Sequence, residues 1–468
     1  MYVAIAEWYG SSSYELLNKI GPSVLLLTCL ACSYLLVKIN ALVIWSPLPW
    51  FLATCAIYFG FGPLAYYFST PESIDFMNLI FFVDDGAILR TNVLNSLAIA
   101  IVCVMVSLTM MILPPVSLMT TLYKHRMTKQ VMWGFLIVGG LVQYCFSLPF
   151  ALGWLSWTLP GSIQHLSGLL GSAIIILFVV IDHGDTRYQW LLYLLVGSEL
   201  VCGLLMLSKL AVILTMLMSV LGFFLVKPKV NALIASGIGI ALLYSLVLSP
   251  FVLFARQLIG GPSTKEAAEL RLAANEYRDA MKNDAALVMP GVQAWWTRLS
   301  YANAQAFAMD AYDSGASGQT FGLLPYVFVP RVIFTNKPFM TTGTEFASLM
   351  LGHEEDSAIG PGFFGEAYWN GGWGALILAC VYLGVLFTVF ARFGIRLMAS
   401  HQYWYLPVIV IGIITGLRPD DWFVPTAVGG IVEAIFFYWI LRGIKLLCQE
   451  SFPLPPPAQS TSHSCAGF

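Results

Sequence analysis

The chain has 468 residues, of which 58% are hydrophobic and only 10% charged, with a mean hydropathy of +0.78. Soluble domains carry about 25% charged residues, so most of this surface cannot face water. A formal net charge of −2 supplies none of the dense basic surface that nucleic-acid phosphates need, which leaves an all-α polytopic membrane protein.

Crossing a hydrocarbon core takes about twenty mostly apolar residues. Such windows run near 22–39, 41–68, 92–113, 130–153, 163–181, 187–206, 208–226, 230–254, 372–395, 404–417 and 423–446. They predict about eleven transmembrane helices, the tenth short. The chain thus divides into a membrane domain (1–254), a large loop (255–371), a second membrane part (372–447) and a tail (448–468). The first apolar run, Val24–Val37, lacks a basic leader, so no cleavable signal peptide is expected. The cysteines within the spans (Cys29, Cys32, Cys55, Cys103, Cys145, Cys202, Cys380) read as small buried hydrophobes, and neither disulfides nor a zinc site is expected.

Lys and Arg in short loops mark the cytoplasmic side. Lys124, Arg126 and Lys129, then Lys227 and Lys229, then Arg392 and Arg396, and finally Arg442 and Lys445 all fall on one side. The alternate loops are poor in basic residues, and 69–91 holds Glu72, Asp75, Asp84 and Asp85 against Arg90. The N-terminus and the large loop are therefore expected outside, with the C-terminus in the cytoplasm. Within the loop, Ser263-Thr-Lys-Glu266 is a capping box that opens a helix running to about Val288. A second helix over Val292–Tyr312, rich in rings (Trp295, Trp296, Tyr301, Phe307), suits the membrane interface. Pro453 and Pro455–Pro457 predict a disordered tail.

A charge inside a span is expensive and marks a functional candidate by default. Glu199 lies about 9 Å inside the outer end of the sixth span, and Glu433 about 15 Å inside that of the eleventh. Lys209 opens the seventh span, and Arg418, followed by Pro419-Asp420-Asp421, ends the tenth on the same side. The clustering predicts a polar cavity open to the outer leaflet; a Glu199–Lys209 hairpin ion pair is the structural alternative. The loop adds Arg298, Arg331 and Lys337, cations suited to a lipid-linked diphosphate because a guanidinium offers two parallel hydrogen bonds and stays charged. Asp84-Asp85 and His353-Glu354-Glu355-Asp356 invite a metal reading but equally suit solvated loops, and His125, His165, His183 and His401 are isolated in sequence.

The run Pro325-Tyr-Val-Phe-Val-Pro330-Arg331-Val-Ile-Phe-Thr-Asn-Lys337-Pro338 is followed by Gly360-Pro361-Gly-Phe-Phe-Gly365-Glu366-Ala-Tyr368-Trp-Asn370-Gly-Gly-Trp-Gly374. This Pro-Arg, aromatic, Lys-Pro loop leading into a Gly-Glu-x-Tyr-x-Asn-x-Gly helix start resembles the Wzy-type polymerases of O-antigen and exopolysaccharide repeat units. Thr297-Arg298 and Leu417-Arg418 look like two further positions of that pattern, whereas Leu207-Ser208-Lys209 departs from it by having Lys where relatives often have Arg.

The resemblance implies a GT-C-like, metal-independent glycosyltransferase of the bacterial inner membrane that needs no cofactor. It would transfer a growing glycan from undecaprenyl diphosphate to the non-reducing end of an incoming lipid-linked repeat. A chain-length regulator and a flippase would be its further partners. It also implies site roles: Arg298, Arg331 and Arg418 stabilise the leaving diphosphate, and Glu366 is the first candidate for a base. Lys337, Lys209, Tyr368, Asn370, Glu199 and Asp421 would contact the diphosphate or glycan. An O-antigen ligase has nearly the same needs, and a lipid-linked sugar transporter or flippase is the non-enzymatic alternative.

Overall fold

The structure is a computed structural model that describes residues 12–68, 84–114, 125–157, 159, 161–249, 251–252, 255, 299–329, 334, 342–352 and 360–450. The described residues form helices and no strands. Ten of these helices are long and apolar enough to cross a membrane, so the chain is a multi-pass membrane protein. They are α1 (Leu16–Ile39), α2 (Pro47–Leu64), α3 (Asp85–Ile112), α4 (His125–Ala151), α5 (His165–Asp182), α6 (Thr186–Leu205), α7 (Lys209–Val226), α8 (Val230–Leu248), α11 (Gly362–Ala399) and α13 (Val424–Lys445). Between α8 and α11 lie α9 (Ala302–Asp313) and α10 (Thr342–Leu351). The short tenth span of the sequence is α12, a shorter apolar helix over Tyr403–Leu417.

Bilayer interiors offer no water to an unpaired backbone N–H or C=O, and the spans start accordingly. Asp84 caps α3 by accepting a hydrogen bond from the Ala87 N–H at 2.8 Å, and Ser208 caps α7 through the Ala211 N–H at 3.2 Å. Pro47 opens α2, where its missing N–H leaves no gap. For that reason the apolar window beginning at 41 is not one helix: Ala41–Trp45 is a separate 3-10 turn capped by Asn40.

Two packed groups make up the bundle. α1, α2 and α3 surround the first half of α11 and one side of α9, with Phe51, Phe59, Phe364, Phe387 and Met309 in their shared core. α4 to α7 pack with α12 and α13 around Ile174, Ile175, Leu221, Leu406 and Phe437. The second half of α11 belongs to this group too, through Phe390 and Leu397, so α11 ties the two together.

α11 begins ten residues before the apolar window at 372, and its first piece is a helix packed against protein rather than loop. The two pieces meet at Gly371–Gly372, where Gly372 has φ +61° and ψ −151°, a region open essentially to glycine alone. A Cβ there would also stand 2.7 Å from the Tyr312 ring. α9 differs from the expected surface helix as well. Asn303, Gln305, Ala306 and Met309 are buried against α3 and α11, and Gln305 exchanges hydrogen bonds with Asn95 at 2.8 and 3.0 Å. The backbone of Leu299–Ser300 comes so close to Gly62 of α2 that a Cβ would lie 2.1 Å from the Leu299 carbonyl oxygen.

Candidate functional site

One end of the bundle gathers α9, the start of α11 and the turn 418–423; it is called the loop end. Four spans carry a π-helical turn: Ala56–Phe61, Gln143–Ser147, Tyr244–Leu248 and Val424–Val428. Each of these turns lies in the loop-end portion of its helix. Such turns concentrate at functional sites because the extra residue widens the helix and re-aims side chains. Here they carry Tyr58, Tyr144, Tyr244 and Thr426.

The turn Arg418–Phe423 is the hub. Arg418 ends α12 and is held by Asp421, with Nη2 to Oδ2 at 2.8 Å, and about a third of the Arg418 side chain is exposed (34%). Thr426 donates to the same Asp421 oxygen. Asp420 accepts a long hydrogen bond from the Tyr301 hydroxyl (3.4 Å), while its other oxygen, Oδ1, is buried without a partner. Burial pushes the Asp420 carboxyl up to about 6, against the pull of Arg418. The Tyr301 ring meets Tyr58 edge-on at 5.4 Å. Burial raises the Tyr301 hydroxyl well above its ordinary value, with Asp420, Tyr58 and Tyr244 close enough to add to the shift. Tyr244 in turn carries Lys209, whose Nζ stands 5.6 Å from the ring centre and donates to Ser249 at 3.2 Å. Lys209 and Arg418, far apart in sequence, thus flank one half-buried tyrosine–aspartate cluster.

A second network bolts this turn to α11. Glu366 is fully buried; Oε1 accepts from the Thr320 hydroxyl at 2.6 Å and Oε2 from the backbone N–H of Phe423. Asn370, one turn on, donates to the Thr320 hydroxyl at 2.7 Å and to the Glu366 carbonyl at 2.8 Å, and accepts from the Phe321 N–H at 2.9 Å. The Phe363 N–H donates to the Pro419 carbonyl at 2.9 Å. Fully buried and with a donor on each carboxylate oxygen, Glu366 holds the backbone of this turn against α11. Tyr368 points elsewhere: it donates to Asp313 at 3.2 Å, beside an ion-pair cluster in which Arg90 bridges Asp310 and Asp313.

Between α5, α7, α12 and α13 lies a cavity of about 310 Å³. Ile174, Leu214, Met218, Ile411 and Phe437 make its apolar wall, and Gln143, His165, Ser167, Glu199, Ser208 and Glu433 its polar one. Glu199 accepts from the Tyr144 hydroxyl at 2.7 Å, and Ser198 lies at the same distance from that hydroxyl. His165 Nδ1 is 3.2 Å from Glu433 Oε1. Among the described residues, none that lines it is Lys or Arg.

The structure therefore brings Glu199 and Glu433 to one cavity and Arg418 and Asp421 to one ion pair. It gives Glu199 and Lys209 different partners, Tyr144 and Ser249. Arg298, Arg331, Lys337 and the run His353–Asp356 lie outside the described residues. Asp84 is the α3 cap, and no group of three or more metal-ligating side chains occurs among the described residues. His165 has no titratable neighbour in sequence, but it opens α5 at the loop end, where a membrane-embedded Glu433 calls for a polar partner. His125, at the opposite end, pairs with Asp185, whose carboxyl is held below its usual range by Lys129 and His125. No signal in the sequence pointed to Tyr58, Tyr244 or Thr320.

No family model, curated protein or solved structure matches the chain.

Proposed function

We propose that the chain is an oligosaccharide repeat-unit polymerase of the Wzy type, with a GT-C-like architecture. It would be a metal-independent glycosyltransferase that moves a growing glycan from undecaprenyl diphosphate onto the non-reducing end of an incoming lipid-linked repeat. The observation that carries this reading is the meeting of Arg418 and Lys209 around one half-buried polar cluster, beside the turn that Glu366 and Asn370 lock to α11. Those last two residues belong to the Gly-Glu-x-Tyr-x-Asn-x-Gly run that resembles the family. Basic loops crowd the opposite end of the bundle, which supports reading the loop end as the outer face of the bacterial cytoplasmic membrane.

In this reading the leaving diphosphate develops negative charge as the anomeric C–O bond breaks, and fixed cations at that point lower the barrier. Arg418 is the described candidate, with Lys209 in support and Arg298, Arg331 and Lys337 completing the set from the large loop. Glu366 keeps the Arg418 turn in place.

Purified protein in liposomes, supplied with defined lipid-linked repeats, tests the reading by the size of the products. Polymers several repeats long are expected. Unchanged single repeats would overturn it. The carboxylates and imidazole within the bundle favour one second reading, a transporter for lipid-linked sugars, since such groups mark substrate and proton pathways. The same assay separates the two, because a transporter moves repeats across the bilayer without lengthening them.

A further inference from the structure

Glu366 is fully buried, out of reach of an acceptor hydroxyl, so the polymerase reading needs another base. The cavity between α5, α7, α12 and α13 supplies one. We infer that this cavity seats the terminal sugar of the acceptor repeat and that the His165–Glu433 pair receives the proton of its attacking hydroxyl.

The cavity's chemistry selects the ligand class. Its described lining carries two carboxylates and no Lys or Arg, which disfavours a diphosphate and suits the uncharged, hydroxyl-bearing part of the substrate. A sugar ring is polar at its edge and apolar on its C–H faces. The lining matches that division, with Glu199, Gln143, Ser167 and Ser208 as hydroxyl partners and Ile411, Leu214 and Phe437 as an apolar wall. About 310 Å³ is at the small end of ligand cavities, which run from about 300 Å³ upward, and suits one or two sugar rings rather than a whole repeat.

The pair is arranged as a base with its orienter. Nδ1 of His165 faces Glu433 Oε1 at 3.2 Å, so the carboxylate holds the ring with its proton on Nδ1 and leaves Nε2 as the acceptor. Nε2 has no hydrogen-bond partner among the described residues, and 54% of the His165 side chain is exposed. In the step, the acceptor O–H gives its proton to Nε2 and its oxygen bonds to the anomeric carbon of the donor glycan. The bond from that carbon to the phosphate oxygen breaks, and its electron pair leaves on the lipid diphosphate. Glu433 stabilises the imidazolium until the proton passes to the released diphosphate or to water. Among the described residues the other titratable group lining the cavity is Glu199 from α6, which accepts a hydrogen bond from Tyr144 of α4.

The inference rests on the polymerase reading, and the reconstituted protein with defined lipid-linked repeats separates the two. General-base catalysis contributes about 10²–10⁴-fold. His165→Gln and Glu433→Gln should each lower kcat about 100-fold or more while KM stays within about threefold, and His165→Gln should flatten the acidic limb of the kcat–pH profile. Ala211→Leu, which narrows the cavity, should raise KM for the acceptor about tenfold. Wild-type protein that polymerises alongside a His165→Gln variant of equal rate and unchanged pH profile overturns the inference alone. Wild-type protein that lengthens nothing overturns both. His165 is half-exposed, so its substitution leaves the fold intact, and an unchanged gel-filtration profile in detergent checks this.

Discussion

Glu366 in the second turn of α11 accepts a hydrogen bond from the backbone N–H of Phe423, fifty-seven residues away at the end of the Arg418 turn. Through that bond and the Phe363–Pro419 bond beside it, the start of one span fixes the backbone that follows another. Arg418 is thereby positioned by a carboxylate it does not touch.

Glu366→Ala should loosen this joint. It leaves the Phe423 N–H and the Thr320 hydroxyl buried without an acceptor, and each orphaned group costs about 1–3 kcal/mol. Thermal unfolding in detergent should show the loss. Wild-type thermal stability in Glu366→Ala would mean that the turn is held by other contacts.

Arg418→Ala should reduce polymer formation about 10²–10³-fold, the usual effect of deleting one transition-state charge stabiliser. Arg418→Lys should recover part of it, keeping the charge without the planar fork. EDTA should leave the rate unchanged. Full activity in Arg418→Ala, or inhibition by EDTA reversed with a divalent ion, would direct attention to other residues.

Asp420 makes stability depend on pH. Its folded carboxyl sits at about 6 against an ordinary 3.8, so between those values the folded chain keeps a proton that the unfolded chain has lost. The stabilisation is fully present below about pH 3.8 and disappears as pH rises through about 6. Asp420→Asn, permanently neutral, should gain on wild type as pH goes from 4 to 7. Parallel melting curves for the two proteins across that range would contradict the assignment.

Gly372→Ala should destabilise by about 1–3 kcal/mol, because its backbone region is closed to residues with a Cβ and the added atom meets Tyr312. Expression level and melting temperature read the effect, and a variant as stable as wild type would require the α11 break to lie elsewhere.

Single cysteines decide the orientation. With the native cysteines replaced, Asp85→Cys at the exposed start of α3 should react with a membrane-impermeant maleimide in intact cells. Arg187→Cys, 73% exposed at the opposite end, should react only after lysis. The reverse pattern would turn the proposed topology over.

How much was legible in the sequence follows from what each signal depends on. The spans were, because crossing a bilayer imposes a length and an apolar composition that each segment must meet alone. That Glu199, Glu433 and Arg418 would each need a polar partner was too, since a charge in or at the end of a span is costly wherever it goes. Which charge meets which was not. Lys209 reaches Ser249 and Tyr244 rather than Glu199, His165 reaches Glu433, and Glu366 holds the backbone of Phe423. Those partners come from helices distant in the chain, and only the packing of the bundle, with the break at Gly372 and the close approach at Gly62, decides their distances.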